Sequence, residues 1–269
     1  MSNRISQLFE QHAKDADGLL NVYFTAGFPE LADTRRVLRA LQDAGADLVE
    51  IGMPYSDPVA DGETIQDSNQ KALENGMSIR LLLEQLRDMR SEISLPVLLM
   101  GYFNPVVQYG VERFCRDASE AGVDGLILPD LPVEEYLAHY KALFDQYGLL
   151  NIFLITPQTK PERIRLIDEA GSGFIYMVSS ASVTGAKTGV SVNMEAYFER
   201  IHQMKLKNPR LIGFGIKDRE SFLKASRYGN GAIIGSAFIR VLQESTDLEK
   251  DIETFISGIK PNKNQVMSV

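Results

Sequence analysis

Carboxylates cluster in one short stretch of the sequence, residues 50–62, where their spacing suits acid–base chemistry. Glu50 closes an apolar run, whereas Asp57 and Asp61 lie in the following loop, which is rich in Gly and Pro. A rigid strand end can fix one carboxylate while a loop delivers another, and such a pair can give and take protons. A solvated Glu and a capping Asp are the non-catalytic alternative, which is the usual fate of carboxylates.

Glycines at the ends of two later predicted strands form a second candidate group. One strand ends in Gly213-Phe214-Gly215, and the next ends in Gly235-Ser236 and runs directly into a helix. Glycine lets the backbone approach a ligand closely, and amides at a helix N-terminus face outward toward an anion. A tight turn and a simple serine cap are the alternatives for each pair taken alone. Together, on adjacent strands, they favour a phosphate site, to which Gly185 in the preceding long polar loop could contribute.

Short apolar runs alternate with longer amphipathic segments from one end of the chain to the other. The apolar runs predict eight strands: Leu19–Thr25, Leu48–Ile51, Pro96–Met100, Gly125–Leu128, Asn151–Ile155, Phe174–Val178, Arg210–Phe214 and Ala232–Ile234. The segments around them predict helices: Ile5–Asp15, Leu31–Asp43, Ser78–Ser91, Val111–Ala121, Val133–Tyr147, Pro161–Ala170, Asn193–Met204, Asp218–Tyr228, Ala237–Gln243 and Leu248–Ser257. Because the apolar runs do not alternate with polar residues, the strands are predicted to be parallel and buried on both faces.

Eight strand–helix units in a chain of 269 residues match a closed (β/α)8 TIM barrel with an extra N-terminal helix. A doubly wound open sheet is the alternative that the same pattern allows. Because no Ser/Gly linker interrupts the chain, residues 1–258 are predicted to form a single domain, and residues 259–269 a disordered tail. Catalytic residues of such a barrel lie at the C-terminal strand ends, so the carboxylates and the glycines would share one mouth.

Composition and charge argue against several classes of partner. The net charge of −8, without a basic stripe, argues against nucleic acid and anionic membrane surfaces. The single cysteine, Cys115, allows no internal disulfide, and the sequence shows neither a signal region nor an apolar run of membrane-spanning length, so a cytoplasmic protein is expected. The three histidines, His12, His139 and His202, are scattered, so no metal site is predicted.

The residues absent from the strands narrow the reaction class. None of the eight predicted strands contains the lysine that a Schiff-base aldolase needs, and the scattered histidines argue against a metal-dependent aldolase. The remaining possibility is proton transfer by carboxylates on a phosphorylated molecule. Tyr176 is a further candidate for this proton transfer. Tyr23, Met100, Tyr102 and Phe214 at strand ends could hold a flat apolar group, although ordinary core packing is the better explanation for any one of them taken singly.

These residues resemble the tryptophan synthase alpha subunit family over nearly the whole chain, up to the final helix. The most specific match is residues 50–62 with the following Thr64-Ile65-Gln66. Supporting matches are Pro129-Asp130-Leu131-Pro132, Val183-Thr184-Gly185, Gly213-Phe214-Gly215-Ile216 and Gly235-Ser236. The resemblance implies a lyase of tryptophan biosynthesis that cleaves indole-3-glycerol phosphate to indole and glyceraldehyde 3-phosphate by a retro-aldol reaction, with no metal and no organic cofactor in this subunit.

The resemblance also implies roles for individual residues. Glu50 matches the glutamate that moves protons at indole C3 and at the glycerol hydroxyl, and Asp61 matches the aspartate that interacts with the indole N–H. Tyr176 matches a tyrosine near the reacting hydroxyl, and Thr184 matches a loop threonine that positions Asp61. The implied phosphate contacts are Gly185, Gly215, Gly235 and Ser236, and the other implied substrate contacts are Tyr23, Ile65, Met100, Gly213 and Phe214.

A partner follows from the same resemblance. The family's alpha subunit binds a beta subunit that carries pyridoxal phosphate, in an alpha2-beta2 assembly, and we expect Met53–Asp61 and Asn104–Gln108 to face it. Two alternative hypotheses of function stay open at this point. One is another barrel enzyme of phosphorylated metabolites, such as an isomerase of the same pathway, and the other is a non-catalytic subunit that only activates its partner.

Overall fold

Eight parallel strands close into a barrel in the computed structural model, which describes residues 3–12, 18–58, 61–178, 190–213 and 215–260. The strands are β1 (Leu19–Thr25), β2 (Leu48–Gly52), β3 (Val97–Met100), β4 (Gly125–Ile127), β5 (Leu150–Ile155), β6 (Ile175–Val178), β7 (Arg210–Gly213) and β8 (Gly231–Ile234). Each strand pairs with the next, and β8 returns to β1. The predicted (β/α)8 barrel is therefore confirmed, and the open sheet is excluded because both of its edges are paired with each other.

Helices cover the outside of the barrel and both ends of the described chain. They are α1 (Arg4–His12), α2 (Asp33–Ala44), α3 (Glu63–Glu74), α4 (Ile79–Leu86), α5 (Phe103–Tyr109), α6 (Val111–Glu120), α7 (Val133–Glu135), α8 (Lys141–Gln146), α9 (Pro161–Ala170), α10 (Val190–Gln203), α11 (Arg219–Ser226), α12 (Ser236–Glu244) and α13 (Leu248–Ile259). A 3₁₀ turn over Met89–Ser91 follows α4, and a π-helical turn over Tyr136–Tyr140 joins α7 to α8. No helix in these described ranges has the length and apolar character needed to cross a membrane.

Two of these helices, α3 and α5, were not predicted from the sequence. Only Ile65 and Ala72 give α3 a buried apolar side, so its hydrophobic periodicity is weak. The α5 helix is seven residues long and contains Pro105, which the first turn of a helix tolerates but which reads as a loop signal in the sequence. The eight strands, by contrast, agree with the predicted ranges to within one residue at each end, because long apolar runs are a stronger signal.

Successive residues of each strand point alternately into the barrel and toward the helices. The inward side chains form one buried cluster with α1: Ile5, Phe9, Leu19, Leu48, Leu98, Ile127, Ile152, Phe174, Tyr176, Leu211 and Ile233. The alternate residues, such as Val22 and Phe24 of β1, belong to a larger cluster between the strands and the helices. This two-sided burial explains why the strands read as continuous apolar runs.

The N-terminal helix α1 closes one end of the barrel. Its Ile5 and Phe9 are buried against the interior cluster, and the Phe9 ring lies 5.8 Å from that of Phe174. The start of the helix is held by Arg4, whose Nη1 lies 3.0 Å from Asp124 Oδ1. Since α1 occupies the N-terminal end of the strands, a ligand must enter from the opposite, C-terminal end.

The described chain ends just after α13. This helix runs to Ile259, one residue beyond position 258, where we placed the end of the barrel domain. The following Lys260 is half-buried, and its ammonium pairs with Asp47 at the start of β2. Residues 261–269, most of the predicted tail, lie outside the described residues, so the single-domain assignment of residues 1–258 stays a prediction.

Candidate active site

A cavity of about 280 Å³ opens at the C-terminal ends of the strands, where a TIM barrel holds its active site. Several residues that were predicted from the sequence line it: Tyr23, Asp61, Ile65, Met100, Tyr176, Gly215, Gly235 and Ser236. These residues come from β1, β3, β6, the loop after β2, the start of α3, the turn after β7 and the junction of β8 with α12. Closure of the barrel therefore brings the carboxylate group and the glycine group, far apart in the chain, to one mouth.

Glu50 lies in β2, behind the wall of this cavity. Its neighbours in register are Tyr23 on β1 and Leu98 on β3, and its side chain is completely buried. Asn21 Nδ2 donates a hydrogen bond to Oε1, whereas Oε2 has no hydrogen-bond partner among the described residues. Burial raises the pKa of Glu50 to about 8, although the hydrogen bond from Asn21 lowers it in part. At pH 7 most Glu50 side chains are therefore protonated and can donate a proton.

Asp61 stands on the rim, at the end of the loop after β2. Its backbone forms two hydrogen bonds, since its N–H donates to Pro58 O over 3.0 Å and its carbonyl accepts from Gln66 Nε2 over 2.8 Å. Partial burial raises the pKa of Asp61 to about 6, so the carboxyl group is mostly ionised at pH 7. The site thus holds one neutral and one charged carboxyl group at the same pH.

Two tyrosines of the cavity wall lie close enough to the carboxylates to feel their charge. Burial raises the pKa of Tyr176 and Tyr23 well above the usual value, and the charges of Glu50 and Asp61 raise it further. Both phenols therefore stay neutral and can donate hydrogen bonds throughout the physiological range. The Tyr23 hydroxyl lies 3.3 Å from Thr25 Oγ1, which fixes that ring within the wall.

Gly213 has a packing role that the sequence analysis did not foresee. A Cβ at this position would lie 2.4 Å from the Tyr176 hydroxyl oxygen, so only glycine leaves room for that ring. Gly213 does not itself line the cavity, and its predicted contact with substrate stays a prediction. Gly52 has the same relation to Tyr23, since its Cβ would lie 2.2 Å from the phenol oxygen.

Another part of the cavity lining has the features of an anion site. Ser236 is the first residue of α12, and the first N–H groups of a helix have no partners within the helix. Gly215 on the same rim has a φ of +76° and open space where a Cβ would lie, so a ligand can approach its backbone. These residues form a rim of the cavity where N–H groups at the start of a helix suit a phosphate group.

Two cationic residues of this rim, Lys217 and Arg240, were missed in the sequence. The prediction relied on glycines and helix starts, which need no cation. A signal for Arg240 was present, because it follows Ser236 by four residues and so lies on the same face of α12, one turn further. Lys217 follows Gly215 by two residues in the turn after β7. A turn has no regular periodicity, so the sequence does not indicate where the Lys217 side chain points.

Three predicted site residues, Thr184, Gly185 and Phe214, lie outside the described residues. Asp57, the third carboxylate of residues 50–62, is exposed, accepts a hydrogen bond from Ser56 and does not line the cavity. Within the described ranges, no group of three or more His, Cys, Asp or Glu side chains could hold a metal ion.

Comparison with known proteins identifies the family. A family model described as "Tryptophan synthase alpha chain" matches residues 9–266. The chain belongs to the tryptophan synthase alpha chain family. The tryptophan synthase alpha chain of Flavobacterium johnsoniae is 54% identical over 258 residues, covering 96% of this chain and 100% of that protein. The one of Christiangramia forsetii is 52% identical over 258 residues, covering 96% and 98% respectively.

Solved structures of the family have the same fold. The crystal structure of tryptophan synthase alpha chain from Legionella pneumophila subsp. pneumophila superposes with a TM-score of 0.87 at 31% identity, over 100% of both chains. That of tryptophan synthase from M. tuberculosis, in an aminoacrylate-bound form, gives a TM-score of 0.84 at 28% identity, over 97% of this chain and 99% of that one.

Family membership distinguishes between the hypotheses of function that the sequence left open. As a tryptophan synthase alpha chain, the protein is a lyase of tryptophan biosynthesis, which cleaves indole-3-glycerol phosphate to indole and glyceraldehyde 3-phosphate. The isomerase and the non-catalytic subunit are thereby set aside. Membership of this family also implies a beta subunit as partner.

Proposed function

We propose that Glu50 carries the proton transfers of the retro-aldol cleavage and that Asp61 stabilises the charge that develops on the indole ring. The observation that supports this assignment is a pair of carboxyl groups, Asp61 lining the cavity and Glu50 buried behind its wall, with pKa values raised to about 6 and about 8. Such a separation keeps an acid and a carboxylate available at the same pH, which is how carboxyl pairs divide catalytic roles.

Each step of the cleavage uses the group in the state that its environment favours. Protonated Glu50 gives its proton to indole C3, and the positive charge then centres on the ring nitrogen, where ionised Asp61 accepts the N–H hydrogen bond. The Glu50 carboxylate next takes the proton of the glycerol hydroxyl while the bond from C3 to the side chain breaks. Those electrons return to the ring, so neutral indole and the aldehyde leave together and Glu50 is again protonated.

The other predicted residues hold the substrate during these steps. Tyr176 donates a hydrogen bond near the reacting hydroxyl, and Thr184 positions Asp61. The indole ring packs against Tyr23, Ile65, Met100 and Phe214. The phosphate group binds beside Gly185, Gly215, Gly235 and Ser236, and Gly213 is a further substrate contact. A cavity of about 280 Å³ that is lined both by apolar and aromatic side chains and by the start of α12 supports this proposal.

We further propose a cytoplasmic alpha2-beta2 assembly in which the beta subunit holds pyridoxal phosphate and Met53–Asp61 and Asn104–Gln108 face it. Two observations support this surface. The rings of Tyr55 and Tyr102 lie 5.1 Å apart, so the loop after β2 contacts the segment that leads into α5. Val107 in α5 is 49% exposed, which is unusual for a large apolar side chain among the described residues.

Replacement of the two carboxylates tests the assignment. We expect Glu50→Gln to lower kcat for indole release from indole-3-glycerol phosphate by about 100-fold or more, because the amide can neither give nor take the proton. Asp61→Asn should lower kcat as well, since the ring charge loses its counter-charge. Glu63→Gln, an exposed carboxylate at the start of α3, is the matched control and should retain native kcat. Undiminished indole release by the Glu50 variant would remove the proposed role.

A further inference from the structure

We propose that Arg240 is a positioning residue that links the phosphate end of the cavity to the segment that carries Asp61. This inference rests on the proposed function, in which the substrate's phosphate group lies beside Ser236. Through Arg240, a bound phosphate group would fix Asp61 in its working position as well as hold the substrate in the cavity.

Arg240 lines the cavity from α12 and also contacts α3. It lines the cavity one helical turn beyond Ser236, at the phosphate rim. Its Nη1 also lies 3.4 Å from Thr64 Oγ1, in the first turn of α3. No carboxylate among the described residues forms an ion pair with Arg240, so its charge is available to an anion. Contacts between α12 and α3 thus include one side chain that also lines the cavity.

The first turn of α3 holds Asp61 directly. The backbone N–H groups of Ile65 and Gln66 donate to Gly62 O over 2.9 and 3.0 Å. The Gln66 side chain donates to the carbonyl of Asp61 over 2.8 Å. A shift of Thr64 toward or away from Arg240 therefore moves the peptide that carries the Asp61 carboxylate. The path from phosphate to Asp61 consists of one guanidinium and one turn of helix.

The chemistry of arginine suits this double contact better than that of lysine. A guanidinium has five N–H donors in a rigid plane, so one edge can bind phosphate oxygens while another donates to Thr64. Lys217, on the same rim, offers a point charge from the turn after β7 and has no hydrogen bond to α3 among the described residues. Both cations can therefore attract an anion by charge, but only Arg240 can also position α3. Comparing variants of the two residues distinguishes these effects.

The test divides the substrate into two pieces. Indole release is measured from indole glycerol, which lacks the phosphate group, with increasing concentrations of inorganic phosphite dianion. Phosphite should accelerate indole release by the native protein, because it occupies the rim and orders Asp61 through Arg240. The apparent phosphite affinity reports binding, and the acceleration at saturating phosphite reports positioning.

Four variants distinguish the two roles. Arg240→Ala should lower the acceleration at saturating phosphite by about tenfold or more, the size of effect expected for a lost charge-assisted hydrogen bond. Thr64→Val should also lower the acceleration, with the phosphite affinity within about twofold of native. Lys217→Ala should weaken phosphite affinity but reach the native acceleration at saturation. Lys71→Ala, which removes an exposed cation of α3 outside the cavity, should match the native protein in both quantities.

Two results would overturn the inference. One is native acceleration in Arg240→Ala at saturating phosphite, and the other is no acceleration by phosphite in the native protein. In either case, indole release from intact indole-3-glycerol phosphate would still support the proposed function, whereas failure of that function would appear in the Glu50 and Asp61 variants. Arg240→Lys, which retains the charge and the helix, should bind phosphite but lose acceleration, so the result does not depend on how well the alanine variant folds.

Discussion

At the scale of single residues, two carboxyl groups near one cavity acquire different acidities from their surroundings. Glu50 is sealed inside the barrel and receives one hydrogen bond from Asn21, so its charged form is strongly disfavoured. Asp61 stands on the half-exposed rim, where water still reaches the carboxylate, and its pKa rises less. The difference in burial, more than any neighbouring charge, assigns acid and carboxylate to the two positions.

The pH dependence of the reaction should follow these two groups. Since turnover needs ionised Asp61 and protonated Glu50, kcat/KM should rise as pH increases through about 6 and fall as pH increases through about 8. Asn21→Leu removes the hydrogen bond that lowers the pKa of Glu50 and should move the falling limb to higher pH. Steady-state rates from pH 5 to 10 check this. A falling limb that stays in place in the Asn21 variant would contradict the assignment.

Glu50 should also make the folded state less stable at alkaline pH. Its pKa rises from about 4.5 when unfolded to about 8 when folded, so the native state binds more protons between these values. The free energy of unfolding therefore falls by about 1.4 kcal/mol per pH unit as pH increases from about 4.5 to about 8. Glu50→Gln lacks this loss, and its stability relative to native should rise over that range and level off above it.

Urea unfolding at pH 4, 6 and 9 measures this difference. Glu63→Gln serves as the control, because it makes the same substitution at an exposed carboxyl group. A Glu50→Gln advantage of equal size at pH 4 and pH 9 would show that packing, and not proton binding, explains the difference.

At the scale of the elements, adjacent strands pair a tyrosine with a glycine at two places in the wall. Tyr23 of β1 packs over Gly52 of β2, and Tyr176 of β6 packs over Gly213 of β7. In both pairs the ring leans onto the neighbouring strand, where the missing side chain leaves space. The absence of a side chain at each glycine thus leaves space for the neighbouring ring, and this places two phenols at the cavity wall.

Gly213→Ala tests this packing. The added methyl group would lie 2.4 Å from the Tyr176 hydroxyl oxygen, so the ring must move. Because overpacking of a core costs about 1–3 kcal/mol, we expect a loss of that order in the free energy of unfolding, with a lower kcat for indole release. Gly258→Ala in α13 is the matched control, since no atom lies within 4 Å of its Cβ. It should leave kcat unchanged and stabilise the chain slightly. Equal behaviour of the two variants would refute the packing role.

At the scale of the whole molecule, the residues that the structure describes leave the C-terminal end of the barrel open. The α1 helix fills the other with Ile5 and Phe9, so substrate must enter beside the loops after β2 and β3. A partner that covers Met53–Asp61 and Asn104–Gln108 would therefore also cover the mouth. This arrangement would confine indole between the two subunits, which gives the proposed interface a function beyond attachment.

Binding of a tryptophan synthase beta subunit should depend on this face. We expect a shift in molecular size when the chain and the beta subunit are mixed at micromolar concentration, measured by sedimentation velocity. Val107→Glu places a charge on the exposed apolar residue of α5 and should weaken binding by about tenfold or more. Leu223→Glu on α11, where leucine is 41% exposed, is the control and should bind as the native chain does. No size shift with the native chain would count against the interface.

Local patterns in the sequence predicted the barrel architecture, which the structure confirms, and a set of candidate site residues. Continuous apolar runs predicted the eight strands of the barrel, because two-sided burial leaves a pattern that neighbouring residues alone reveal. The strand-end rule then predicted one mouth for Glu50, Asp61 and Gly235-Ser236, and the structure has Asp61 and Gly235-Ser236 around one cavity with Glu50 behind its wall. Both predictions rest on patterns among residues that are close together in the sequence.

The detailed assembly of the site became visible only in the tertiary structure. The burial of Glu50 behind the cavity wall, its bond from Asn21, the space at Gly213 for Tyr176 and the reach of Arg240 to Thr64 join residues on different elements. Arg240 and Thr64 are 176 positions apart in the chain. No local pattern encodes such contacts, because they exist only once the barrel has closed and the direction of each side chain is set by its neighbours.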